Sequence, residues 1–276
     1  MMPFKTLLWL VLLCLSAAPW AEIYRWQDAA GNTHFSDRPT MTAEVKIVPI
    51  APSTNLYAVK RVYDGDTIEL DDGRKIRFLG MNTPEISHRG KSEDMGGKAA
   101  KAWLSDKLKT SRVRLEFDAE QTDSYGRTLA YVLTENRENL NVQLVAQGLA
   151  AMSIFPPNLR YVNELTAAQA QAEQANLGIW QMPQYAVIAA SEVSADENYQ
   201  GWTRVVGSVR SIKNTKKYSY LIFTNHFSAR IDHDNTGLFP SLENYQGRTL
   251  EVRGWLNKGA DGVTMLIRHP SAIKLR

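Results

Sequence analysis

The chain has 276 residues, 44% of them hydrophobic and 22% charged, which excludes an extended polar chain and provides apolar material for more than one packed module. Its single cysteine, Cys14, excludes a disulfide framework, and its formal net charge of +3 hides an uneven distribution along the chain. Residues 1–21 read as an export signal: Lys5 gives the positive start, residues 7–15 an apolar run, and residues 16–21 a small-residue exit with cleavage after Ala21. That run is shorter than the ~20 residues a spanning helix needs, and no later run is long enough, so no stable membrane insertion is expected. A periplasmic or secreted location follows, with a mature chain free of cysteine. Residues 22–50 then form a small β module: a hairpin of 23–26 and 33–36 about a turn at 29–32, with 45–48 as a third strand. Residues 51–56 are a linker.

The next module, 57–181, opens with strands at 59–62, 68–70 and 75–79. Gly65 and Gly80 stand where such strands must turn sharply. Residues 98–108 carry Ala99, Ala102, Trp103 and Leu108 at helical spacing. Val113, Leu115 and Phe117 then alternate with Arg112, Arg114 and Glu116, the mark of a half-buried strand. Further helices are expected at 141–147 and 161–174.

Three islands in this module carry chemistry: Asp64-Gly65-Asp66-Thr67, Arg77 with Asn82-Thr83-Pro84-Glu85, and Asp123-Ser124-Tyr125-Gly126-Arg127. Singly, each has a bland reading: Asp-Gly is a common hairpin turn, a Glu after Pro is usually solvated, and an Arg on an alternating strand is usually at the surface. Together they supply oxygen ligands for a hard cation, a carboxylate base and two guanidinium groups. Attack of water on a phosphodiester builds negative charge on the phosphoryl oxygens, and bidentate arginines with a hard cation are suited to receive it.

The order of these islands, with Ile76-Arg77-Phe78, Leu129-Ala130-Tyr131-Val132, Asn141 with residues 144–150, and Leu177-Gly178-Ile179-Trp180, resembles the staphylococcal (micrococcal) thermonuclease family from about Tyr57 to Trp180. The resemblance implies a β-rich α+β fold: a five-stranded oligonucleotide-binding-type barrel with three helices, here preceded by the short hairpin module. It also implies a Ca2+-dependent nuclease acting on DNA or RNA and leaving 3′-phosphate ends. Asp66 becomes a metal-ligating carboxylate and Thr83 a ligand through its carbonyl. Glu85 becomes the base, Arg77 and Arg127 the phosphate clamp, and Tyr125 a neighbour of the nucleotide. The family pattern has a second ligating aspartate where this chain has Asn82, so Asn82 enters the metal set with one negative charge fewer. The alternative is a catalytically impaired, nucleic-acid-binding envelope protein. The string from Ile23 to Pro39 resembles a small domain at the start of many exported bacterial proteins, which implies envelope contact through that module.

Residues 182–200 lose periodicity and read as a linker. From 201 to 276 strands return at 204–209, 218–223, 227–231, 249–256 and 264–267, which predicts a second small β-barrel. This tail holds 12 Lys and Arg against 5 Asp and Glu, so the basic excess of the chain lies here. In the strand at 249–256, Glu251, Arg253 and Trp255 share a face opposite Leu250, Val252 and Leu256. Arg253 and Trp255 are therefore expected to contact phosphate and base. A monomer is expected.

Overall fold

The computed structural model describes residues 23–27, 33–36, 46–48, 55–86, 96–110, 112–197, 199, 201–259 and 262–276. The expected export signal and residues 51–54 of the first linker lie outside these. The chain divides into two compact units, Met1–Pro52 and Ser53–Arg276. In the first, β1 (Ile23–Gln27) pairs antiparallel with both β2 (Thr33–Ser36) and β3 (Lys46–Val48), with Trp26 opposite His34 and Tyr24 opposite Ile47.

The second unit begins with β4 (Val59–Val62), β5 (Thr67–Leu70), β6 (Lys75–Phe78) and the two-residue β7 (Met81–Asn82). Helix α1 (Gly97–Leu108), β8 (Val113–Glu116), β9 (Thr128–Thr134), α2 (Leu140–Ala146), β10 (Ala151–Met152) and α3 (Val162–Gln174) follow. The main sheet runs β4-β5-β6-β9-β8, and β7 pairs with β10 apart from it. The alternation at 113–117 sets one face inward: Val113 and Leu115 are buried while Arg114 and Glu116 are partly exposed. Strand β9, a near-continuous apolar run, is buried from Ala130 to Thr134 because it lies inside the sheet, parallel to β6 and antiparallel to β8. The core beneath gathers Ile68, Ile76, Phe78, Leu104, Tyr131, Leu144 and Leu165.

Two polar side chains fix how the helices meet this sheet. Asn139 caps α2 by accepting the Asn141 and Val142 amides. The fully buried Asn141 accepts the Val132 amide at 2.9 Å and donates to the Leu79 carbonyl at 2.8 Å, tying the exit of β6 and the middle of β9 to α2. Both of its neighbours are main-chain groups that would otherwise be buried without partners.

Beyond α3, two 3-10 turns lead to β11 (Val187–Ala189), inside the stretch expected to be linker. Seven strands follow: β12 (Trp202–Ser208), β13 (Ser211–Asn214), β14 (Tyr218–Ile222), β15 (Phe227–Asp232), β16 (Thr249–Gly259), β17 (Gly262–Ile267) and β18 (Ile273–Leu275). Their order is β11-β12-β16-β17-β15-β14-β13, with β18 on β16. Strand β16 changes partner midway: residues up to Trp255 face β12, and from Leu256 onward β17. Gly254, at φ 152°, sits at that change, where a Cβ would lie 3.3 Å from Met265 Cγ.

The tail sheet is fastened to the nuclease-like part by a core and a charge network. Ala151, Ala172, Ile179, Trp180, Tyr185 and Trp202 form the core, with Trp255 packed against it. Trp180 meets Trp202 edge-on at 5.8 Å. Beside it, Arg253 Nη1 and Nη2 hold Glu173 of α3 at 2.6 and 2.9 Å, and its Nε holds Glu251 at 2.7 Å. Arg204 Nε also reaches Glu251, at 2.8 Å, and Arg276 Nε at 2.9 Å. This corrects the face predicted for β16. Arg253 is 7% exposed and Glu251 fully buried, so these two meet α3 and not solvent, and only Trp255 of that face is left partly exposed. The reason is charge pairing: an α3 carboxylate and a β16 carboxylate share the arginines, which desolvates all of them together.

Candidate functional site

The first island is a tight turn because Gly65 lets it be one. A Cβ at Gly65 would lie 2.5 Å from Ala100 Cβ and 2.6 Å from Thr83 Cγ2, so the turn is pressed between α1 and the segment after β7. The turn holds itself as well: Asp64 Oδ1 accepts the Asp66 amide at 3.0 Å. Asp66, 6% exposed, is thereby placed beside Thr83.

Every oxygen of Asp66 has a donor. Oδ2 accepts the Thr83 amide at 3.0 Å and the Thr83 hydroxyl at 3.1 Å, and pairs with Arg77 Nη1 at 2.7 Å. Oδ1 accepts the Thr67 hydroxyl at 3.1 Å. Arg77 reaches this point because it is the register partner of Thr67 across β5 and β6. Its Nη2 donates to Asn82 Oδ1 at 2.9 Å, and Asn82 Nδ2 donates to the Thr83 carbonyl at 2.9 Å. The structure thus joins Asp66, Arg77, Asn82 and Thr83 into one hydrogen-bonded cluster. Asn82 is not inert within it, since its amide group bridges a cation and a carbonyl oxygen.

The donor set fits a hard cation: one carboxylate, one carboxamide oxygen and one main-chain carbonyl, all oxygen. Burial, then the negative charge of Asp66, push the Asp64 carboxyl up to about 6.

Glu85 stands two residues past Thr83 at an exposed position, and its carbonyl would lie 2.9 Å from a Cβ at Gly97, so the start of α1 closes on it. Arg127 lies just before β9, two residues ahead of Leu129, which is the register partner of Arg77 on β6. Asp123, an aspartate of the third island with no role assigned from sequence, proves to be its orienter. Asp123 Oδ2 accepts Arg127 Nε at 2.7 Å and Oδ1 accepts the Tyr125 and Arg127 amides, each at 2.9 Å. Among the described residues neither Nη group of Arg127 has a partner within the chain. Tyr125, 85% exposed, lies 5.5 Å from that guanidinium. Arg253 belongs to the joint described above; Trp255 is half-buried and lines a cleft with Arg77 and Asn82.

Residues 75–182 match the family described as staphylococcal nuclease homologue. Thermonuclease of Staphylococcus intermedius is 44% identical over 128 residues, covering 45% of this chain and 76% of that protein. The chain belongs to the staphylococcal nuclease family. Thermonuclease of Staphylococcus hyicus is 39% identical over 127 residues, covering 45% of this chain and 75% of that protein. Endonuclease YhcR of Bacillus subtilis (strain 168) is 33% identical over 187 residues, covering 61% of this chain but 15% of its own length. Residues 10–56 match a domain of unknown function (DUF4124). Arg77, Asn82, Thr83, Glu85 and Arg127 fall within the staphylococcal nuclease family match, and Asp66 precedes it.

Proposed function

We propose that the chain is an exported nuclease that hydrolyses phosphodiester bonds of DNA or RNA with calcium and leaves 3′-phosphate ends. The Asp66–Arg77–Asn82–Thr83 cluster carries this reading: a buried carboxylate, two further oxygen ligands and a guanidinium share one point beside the Arg127 turn. Calcium bound at those oxygens would supply positive charge against the phosphoryl oxygens. Asp66, Asn82 and the Thr83 carbonyl would hold it. Glu85, exposed and downstream of Thr83, accepts a proton from water or orients it. Arg127, braced by Asp123, offers two unspent Nη groups to the phosphate and stabilises the departing 5′ oxygen. Arg77 already spends both Nη groups on Asp66 and Asn82, so its first task is to hold the ligands in register. Tyr125 flanks the nucleotide.

A supercoiled plasmid incubated with Ca2+ is expected to be nicked and then linearised, and a chelator to stop both. Binding without nicking would favour the reading of a catalytically impaired envelope protein.

Asn82→Asp tests the metal set. The substitution adds a carboxylate and removes the bond that occupies the Thr83 carbonyl, so calcium affinity is expected to rise about tenfold. Two titrations report it: the calcium concentration for half-maximal cleavage and that for half-maximal thermal stabilisation. If neither moves, Asn82 is not a ligand.

A further inference from the structure

A cleft of about 420 Å3 begins at the Asp66 cluster and is closed on its far side by the tail sheet. Arg77, Asn82 and Phe155 form one wall, and Arg230, Trp255 and Arg268 the other. The two far arginines converge because of strand register. Parallel pairing sets Arg230 of β15 opposite Leu266 of β17, and Arg268 lies two residues further along, on the same side.

Their surroundings differ from those of the arginines at the joint. Arg204, Arg253 and Arg276 each have a carboxylate partner. Among the described residues Arg230 and Arg268 have none; Arg230 lies 5.0 Å from the Tyr218 ring and Arg268 4.5 Å from the Phe155 ring. Arg230 Nε is buried without a hydrogen-bond partner. An aromatic face offsets charge but accepts no such bond, so a buried guanidinium donor is left unspent. Burial, then the nearby Arg230 charge, press the Arg268 guanidinium below its ordinary value. Two half-buried cations side by side, with unspent donors, in a cleft shared with Arg77, call for a multi-oxygen anion. Phe155, 47% exposed, and Trp255 offer ring faces along the same cleft.

We propose that Arg230 and Arg268 form a second phosphate subsite, so that the tail sheet completes a groove in which a single nucleic-acid strand lies beside the Asp66 cluster. The identity of the strand rests on the nuclease reading above; the subsite itself rests on the unpaired guanidinium groups. One phosphate lies at Arg77 and Arg127, another is gripped by Arg230 and Arg268, and bases between them stack on Phe155 and Trp255.

The test is binding of a fluorescein-labelled 12-nucleotide single strand to the full chain in chelator, by anisotropy across a salt series. R230Q/R268Q is expected to weaken binding about fivefold or more and to flatten the slope of log affinity against log salt by roughly 0.7 for the lost phosphate contact. R230K/R268K is expected to keep most of the slope. R210Q/K213Q, which removes two exposed charges of the tail that do not line the cleft, is expected to change affinity less than twofold. Wild-type affinity and slope in R230Q/R268Q, with an unchanged melting temperature, would overturn the subsite. An equal loss in R210Q/K213Q would do the same, by making the effect one of general charge. Plasmid nicking by the wild-type protein, run alongside, separates this outcome from failure of the nuclease reading.

Discussion

Arg127→Ala is expected to lower kcat on plasmid or oligonucleotide by roughly 10²–10³-fold while leaving the melting temperature within about a degree or two of wild type. The geometry separates this residue from Arg77. Arg127 is partly exposed, is held through Nε by Asp123, and keeps both Nη groups unspent within the described residues. Removing it leaves no buried charge behind, because Asp123 still accepts the Tyr125 amide and the main-chain amide at position 127. Arg127→Lys is expected to recover only part of the loss, since an ammonium cannot present two parallel donors to one phosphate. Arg77→Ala should behave differently. It strips the buried Asp66 carboxylate of its 2.7 Å partner, so thermal stability and activity fall together. Single-turnover rates and melting curves on the two variants check the contrast. An Arg127→Ala enzyme with wild-type kcat would remove this residue from the chemistry.

Glu251→Gln is expected to cost about 3–5 kcal/mol of stability, far more than Arg127→Ala. The fully buried carboxylate receives Arg204, Arg253 and Arg276, and a neutral amide leaves Arg204 and Arg253 with Glu173 and takes from Arg276 its carboxylate partner. For a unit of this size the melting temperature should fall by roughly 10 °C. The carboxyl also gives a pH signature. Burial alone would raise it, but the hydrogen bond from Arg204, the charge of Arg253 and the bond from Arg276 outweigh burial and hold it at about 2. A group depressed in the fold contributes its full stability above its unfolded value near 4.5 and loses it as pH falls through about 2. The wild-type protein is thus expected to lose about 3 kcal/mol across that window, and Glu251→Gln to lack this part of the slope. Denaturant melts at pH 5, 4 and 3 on both proteins measure it; parallel curves would refute the assignment.

The nuclease-like part was legible because its signals are local. Alternation at 113–117 and the Asp-Gly turn each report on a few adjacent residues, and β8 and the turn at Gly65 appear where those signals lie; α1 also forms, but it buries Ala100, Leu104 and Leu108 and exposes the Ala99 and Ala102 of the expected stripe. Asp123 was missed as an orienter although it sits four residues before Arg127, a spacing that a turn can close. The tail was legible as strands but not as a surface. The face carrying Glu251, Arg253 and Trp255 was recognised as one face, yet whether it met water depended on Glu173, a residue 78 positions before Glu251 in the chain. Arg230 and Arg268 carried no signal at all, because their proximity arises from the parallel pairing of β15 with β17. Much of the tail's basic excess likewise has an internal use: Arg204, Arg253, Lys274 and Arg276 face Glu173 or Glu251.

Strand β16 carries Glu251 and Arg253 toward the joint and, two residues later, Trp255 toward the cleft, with the hinge-like Gly254 between. Fastening and substrate reach are therefore not independent properties of this chain. A substitution that loosens the joint also widens the groove, and one that shifts the groove wall must be absorbed by the charge network. Evolution of a different strand specificity would be constrained on this strand and free on β13, where Ser211, Lys213 and Asn214 are exposed.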